Sequence, residues 1–171
     1  MWRRKCPFRR LRMILIWLLR EGGSMGTVNE LISNLNKYRI KGQFLFSTDD
    51  RLSQACNISV RKDYSGLYLF YEVDNGELIY IGISGRSNAA GEIVHRKDGL
   101  RGRFLTGKQF GERRSISLPS QMIAEGISAL NIHWFVTYGE DSKDIPRPIE
   151  ISLLETFRKE YGRLPKWNKK I

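Results

Sequence analysis

Two short segments, Gly66-Leu67-Tyr68 and Tyr80-Ile81-Gly82, limit what this chain can become more than any other part of it. They lie in two runs, residues 66–73 (GLYLFYEV) and 78–84 (LIYIGIS), that are rich in β-branched and aromatic residues, and Asp74-Asn75-Gly76 between them is turn chemistry. The pattern predicts a β-hairpin. Register decides which side chains share a face, because a slip of one residue inverts all of them. A three-residue loop with Gly76 left-handed sets Val73 opposite Glu77, Tyr71 opposite Ile79, Leu69 opposite Ile81 and Leu67 opposite Ile83. That face is almost wholly apolar. The other face carries Tyr68 opposite Gly82 and Phe70 opposite Tyr80, so two phenols share one side with a glycine that leaves room for a ligand. A two-residue Asn-Gly loop would mix the faces and split the tyrosines, so the pattern favours the longer loop.

Around the hairpin the chain reads as follows. Thr27-Val28-Asn29-Glu30 is a capping box that opens a helix to about Tyr38, with Leu31, Ile32 and Leu35 on one stripe. Residues 39–65 hold an apolar patch (Phe44, Leu45, Phe46), a turn-rich Ser47-Thr48-Asp49-Asp50 and a short segment from Leu52 to Cys56. We read 25–65 as an N-terminal extension packed on a module spanning 66–171. A polar, glycine-rich connection over 84–98 leads to a helix from Leu100 to Thr106, a basic loop over 107–118 and a second helix from Ser120 to Leu130. Residues 131–138 alternate Ile132, Trp134, Val136 and Tyr138 against Asn131, His133, Phe135 and Thr137, which predicts a third strand. Pro146 and Pro148 open a last helix, with Ile149, Leu153, Phe157 and Tyr161 as its stripe and Gly162 at its end. The expected fold class is α/β of the α+β type: a small three-stranded antiparallel sheet flanked by helices, with an N-terminal helical extension.

Composition excludes several classes. With 41% hydrophobic and 27% charged residues among 171, the chain is an ordinary globular protein and not a disordered one. Its two cysteines, Cys6 and Cys56, make neither a disulfide framework nor a zinc site, which points to a reducing, cytoplasmic compartment. The net charge of +11 suggests a polyanionic partner. Residues 1–24 carry seven Arg/Lys against one Glu, and hence more than half of that excess. The same stretch imitates a targeting segment, but its apolar run, Met13 to Leu19, is too short to span a bilayer, and no membrane insertion is expected. An interfacial anchor is one reading of it. The preferred one is translation from Met25, since the codons of Glu21-Gly22-Gly23 can spell a ribosome-binding stretch; a native mass that includes Trp2 would exclude it.

Gly66-Leu67-Tyr68, Tyr80-Ile81-Gly82, Leu100-Arg101-Gly102-Arg103-Phe104, Leu153-Leu154-Glu155 and a closing Trp167-Asn168 resemble, in order and spacing, the five signature elements of the GIY-YIG nuclease superfamily. The resemblance covers about Gly66 to Asn168. It implies divalent-metal-dependent hydrolysis of nucleic-acid phosphodiesters, with Mg2+ or Mn2+ as the cofactor. Carried over residue by residue, it implies that Tyr68 activates the attacking water or assists that step, that Tyr80 contacts the phosphate or orients water, and that Arg103 stabilises charge in the transition state. It further implies that Glu155 binds the metal and that Asn168 supports the site beside Gly82. A phenol titrates near pH 10 in water, so a tyrosine acting as a base would need nearby positive charge. Relatives often carry a histidine or lysine one turn beyond the arginine. Here that position is Gly107, and Lys108 or His95 is the candidate for its proton-transfer role.

The segment 96–114 adds Arg96, Lys97, Arg101, Lys108, Arg113 and Arg114 around Arg103, against Asp98 and Glu112. Such a cluster neutralises phosphates without reading sequence. The expected partner is therefore nucleic acid, with DNA preferred, and any selectivity would come from a homodimer, a targeting partner or the extension. The alternative is a nucleic-acid-binding module of the same fold without turnover.

Overall fold

The computed structural model describes residues 26–88, 91–95 and 98–171. The leader read over 1–24, and the candidate phosphate contacts Arg96 and Lys97, lie outside the described residues. The elements run α1 (Val28–Asn34), β1 (Lys41–Ser47), α2 (Leu52–Ala55), β2 (Ser65–Glu72) and β3 (Leu78–Ser84). A short pair β4 (Arg86–Ser87) and β5 (Ile93–Val94) precedes α3 (Gly99–Thr106). A second short pair, β6 (Lys108–Gln109) and β7 (Glu112–Arg113), leads into α4 (Arg114–Glu125), β8 (Ala129–Tyr138) and α5 (Pro146–Tyr161).

The hairpin has the expected register where it matters: Tyr68 pairs with Gly82, Leu69 with Ile81 and Phe70 with Tyr80. Beyond Phe70 the register shifts, so that Tyr71 faces Leu78 and Ile79 is the extra residue of a bulge. The loop is correspondingly one residue longer than expected, closed by the Glu72 N–H donating to Glu77 O at 2.9 Å. Gly76 takes the left-handed conformation (φ 71°) the turn demands.

The antiparallel sheet has four strands in the order β1-β8-β2-β3, not three. The additional strand is β1, from the extension, which pairs Phe44 with Ile132 and Phe46 with Leu130. Three consecutive apolar residues, Phe44 to Phe46, had masked its period of two: Phe44 and Phe46 are buried, while Leu45 is 63% exposed. Helices cover both faces. Tyr68, Phe70, Ile132 and Trp134 pack with Leu52, Leu100, Phe104, Leu118 and Met122 of α2, α3 and α4. On the opposite face Leu67, Leu69, Ile81 and Phe135 pack with Val28 of α1 and with Leu153, Leu154 and Phe157 of α5.

The second helix of the basic region also departs from expectation. It starts at Arg114 and ends at Gly126 (φ 70°), and it contains Pro119, which the sequence had placed ahead of its start. Proline removes one donor from the helix interior, but Arg114, Leu118 and Met122 recur every fourth residue and are all buried, so packing sets the start. Among the described residues no helix is long and apolar enough to cross a membrane.

Candidate active site

Tyr68 and Tyr80 lie side by side on one face of the hairpin, ring centroids 6.2 Å apart. Gly82 is what permits this: a Cβ there would stand 2.5 Å from Tyr68 Cε2 and 2.7 Å from Tyr80 Cε1. The space that glycine leaves is filled by the two rings, not by a ligand. The phenols differ in access, since Tyr68 is 1% exposed and Tyr80 is half-buried. Burial, first, and the neighbouring Tyr68 push the Tyr80 phenol up to about 12, against the pull of Arg114. Positive charge beside it therefore does not make Tyr80 a base at neutral pH.

That charge comes from Arg114, not Arg103. Arg114 was one of a run of basic residues in the sequence, yet it is 1% exposed. Its guanidinium carbon stands 4.9 Å from the Tyr68 ring centroid and 5.6 Å from that of Tyr80. Nη2 donates to Tyr80 Oη at 3.1 Å, and Nη1 donates to the carbonyls of Arg103 and Phe104 at 3.2 and 3.3 Å. It thus satisfies carbonyls at the C-terminal end of α3, where a cation is favoured. Arg103 is half-buried beside it. Nη1 atoms of Arg103 and Arg114 stand 3.2 and 2.9 Å from the point a Cβ on Gly107 would occupy, so both guanidinium groups meet over that glycine. The signal for Arg114 in the sequence was its position, four residues before Leu118 on the apolar stripe of α4.

The C-terminal tail closes the site along the free edge of β3. The Trp167 N–H donates to Ile79 O at 2.8 Å. Asn168 accepts from the Ile81 N–H at 2.9 Å and donates to Ile81 O at 2.8 Å, so its amide stands in for a neighbouring strand. Lys166 anchors the tail through Glu125 at 2.6 Å and Glu72 at 3.2 Å.

Between the tail, the β6–β7 turn and the start of α5 lies an open cavity of about 480 Å³, lined by Tyr80, Lys108, Gln109, Arg147, Glu150 and Asn168 among others. Its carboxylate is Glu150. Glu155, the carboxylate expected from the sequence, does not line the cavity and is exposed. Five residues at about 100° each turn it roughly 140° away from Glu150 around α5. Glu150 is 8% exposed, and Arg147 Nη1 donates to it at 2.6 Å. Burial raises its carboxyl above the usual glutamate range, with Arg147 pulling the other way. The sequence held a signal here as well: Glu150 follows Ile149 and precedes Leu153 by one turn, on the flank of the apolar stripe.

The remaining candidates divide. Lys108 lines the cavity, whereas His95 lies elsewhere, 3.0 Å from Ser65 Oγ and with its ring tilted 56° to that of Tyr138. Arg101 donates to Ser53 O at 3.3 Å, tying α3 to α2, and Arg113 is exposed on β7. Comparisons of the chain with family models, with curated proteins and with solved structures find no match.

Proposed function

We propose that this protein is a divalent-metal-dependent endonuclease that hydrolyses the phosphodiester backbone of DNA, with Glu150 in place of Glu155 as its metal carboxylate. The observation that carries the reading is the convergence, in one cavity, of Tyr80, Lys108, Glu150 and Asn168, with Arg103 and Arg114 meeting behind it. The five motifs that resemble the GIY-YIG superfamily support it, with the carboxylate moved one helical turn and a little more toward the start of α5.

The donor set suits one kind of ion site. Among the described residues no three His, Cys, Asp or Glu side chains converge as a metal cage. Among the described residues, Glu150 is the one side-chain carboxylate lining the cavity, and it shares it with Lys108, Arg147, Lys169 and Lys170, a surplus of positive charge. A magnesium ion takes one or two carboxylates and fills its other positions with water and phosphate oxygens, so Glu150 suits an ion that arrives with its phosphate. When bound, that ion would supply Lewis-acid polarisation of the phosphoryl group and a more acidic water.

The chain's own groups do the rest. Lys108, Lys169 and Lys170 draw the backbone into the cavity by charge alone. Tyr80, protonated at neutral pH, donates a hydrogen bond to a phosphoryl oxygen. Arg103, beside Arg114 over Gly107, does not line the cavity and acts on the charge that develops there from behind, through its own positive charge. Tyr68, sealed beneath Arg114, holds Tyr80 and Arg114 in place and does not touch the substrate.

A binding module without turnover is the second reading, favoured by one side-chain carboxylate among four cations in the described lining. One assay separates them: incubation of the purified protein with supercoiled plasmid, with Mg2+ or with a chelator. The endonuclease reading expects nicking that the chelator abolishes and that Arg103→Ala reduces on the order of 10²-fold. Retention of plasmid in a gel shift without nicking in Mg2+ would assign the protein to the second reading.

A further inference from the structure

Burying Arg114 is expensive, and stability does not explain it. Its position continues the apolar stripe of Leu118 and Met122, where an aliphatic side chain would pack without the cost of desolvating a cation. Its charge has no carboxylate within ion-pair distance among the described residues. What its guanidinium does instead is specific. Nε donates to Gln109 Oε1 at 2.9 Å and Nη2 donates to Tyr80 Oη at 3.1 Å. A guanidinium has no acceptor, so each of these side chains meets it with an oxygen and keeps its own donor for something else. Both residues line the same cavity. Gln109 is 9% exposed, and its buried Nε2 has no hydrogen-bond partner among the described residues, which costs free energy unless a ligand accepts from it.

We propose that Arg114 is a positioning residue that holds the acceptor ends of Gln109 and Tyr80, so that Gln109 Nε2 and Tyr80 Oη form a donor pair for a tetrahedral oxyanion. Within the endonuclease reading, on which its biological ligand rests, that oxyanion is the phosphoryl group next to the scissile bond. The two donors come from β3 and from the short β6 strand, and Arg114 hydrogen-bonds to both residues. No proton is transferred in this role. The arginine fixes the amide orientation of Gln109 and the direction of the Tyr80 hydroxyl, and the donors are set before the anion arrives.

The test uses the full chain, free of metal, titrated with inorganic phosphate at neutral pH. Two resonances are followed by NMR: the side-chain amide of Gln109 and the ring Cζ of Tyr80. Both are expected to move together and saturably in the wild type, and in Arg114→Met both are expected to start from displaced positions and to lose the response. Arg114→Lys, which restores charge but not the fork, is expected to behave as Arg114→Met does. Resonances that ignore phosphate in the wild type, or that respond in Arg114→Met as in the wild type, would overturn the proposal. So would full recovery with lysine, because charge alone would then suffice.

Plasmid nicking gives the second arm. Arg114→Met is expected to lower kcat on the order of 10²-fold with little change in KM, and adding it to Tyr80→Phe is expected to cost much less than the product of the two separate losses. Losses that multiply would mean that Arg114 does not act through Tyr80. Should the wild type nick nothing while phosphate moves both resonances, the donor pair stands and the endonuclease reading falls. Should it nick while neither resonance responds, the donor pair falls alone.

Discussion

At the scale of single residues, Glu150 and Tyr80 make opposite demands on pH. Burial raises the Glu150 carboxyl above its ordinary value of 4.5 despite Arg147. The folded chain therefore holds that proton more tightly than the unfolded chain does, and stability falls as pH rises from the ordinary glutamate value through the raised one. Glu150→Gln removes this penalty. Its urea midpoint should match the wild type near pH 4 and exceed it at pH 7, although the same change removes the metal carboxylate; a lower midpoint at pH 7 would show that Arg147 outweighs burial. Tyr80 behaves differently. Its phenol is pushed up to about 12, so as a donor it is in its working form throughout the ordinary range. The cleavage rate should rise as Glu150 ionises and then level off. A rate that climbs tenfold per pH unit above about pH 8 would instead identify an ionised phenol as the base.

At the scale of elements, the site hangs on the contact between β3 and its neighbours. Gly82→Ala places a methyl group where the two phenol rings lie, 2.5 and 2.7 Å from their carbons, and should cost about 1–3 kcal/mol in urea denaturation. It should also reduce cleavage by parting Tyr68 from Tyr80. Asn168→Ala strips both hydrogen bonds from Ile81 on the strand edge, with an expected loss of about 1–2 kcal/mol. The hairpin was legible in the sequence because alternation and turn chemistry agreed, down to Tyr68 opposite Gly82. The bulge at Ile79 was not, since an extra residue in the loop and one in the strand offset each other. β1 was hidden because Leu45, an exposed apolar residue, broke its alternation. The start of α4 was hidden by Pro119, a local signal overruled by the buried Arg114. Charged residues were assigned to loops and outer faces by type. Arg114 was hidden because the start of α4 was set too late, whereas Glu150 lies buried on the flank of the α5 stripe within a helix whose bounds were read correctly.

At the scale of the whole molecule, the sheet separates two helical layers, and the cavity opens where its β3 edge meets the tail and the start of α5. The extension supplies β1, so the sheet depends on residues ahead of the hairpin. Removing residues 26–47 should expose the edge of β8 and abolish a single cooperative unfolding transition; a truncated chain that still unfolds in one step would show that the remaining three strands suffice. The cations lining the cavity, Lys108, Arg147, Lys169 and Lys170, should set the salt dependence of DNA binding. Replacing Lys169 and Lys170 together is expected to flatten the slope of log K against log salt by up to about 2, and an unchanged slope would place the DNA elsewhere. The central claim is that one carboxylate of α5 serves the chemistry, and the side chain facing Tyr80 decides which. Nicking of supercoiled plasmid in Mg2+ by wild type, Glu150→Gln and Glu155→Gln tests it most directly. The account predicts that Glu150→Gln loses cleavage on the order of 10²-fold or more while Glu155→Gln stays within a few-fold of wild type. Full activity in Glu150→Gln, or loss confined to Glu155→Gln, would contradict it.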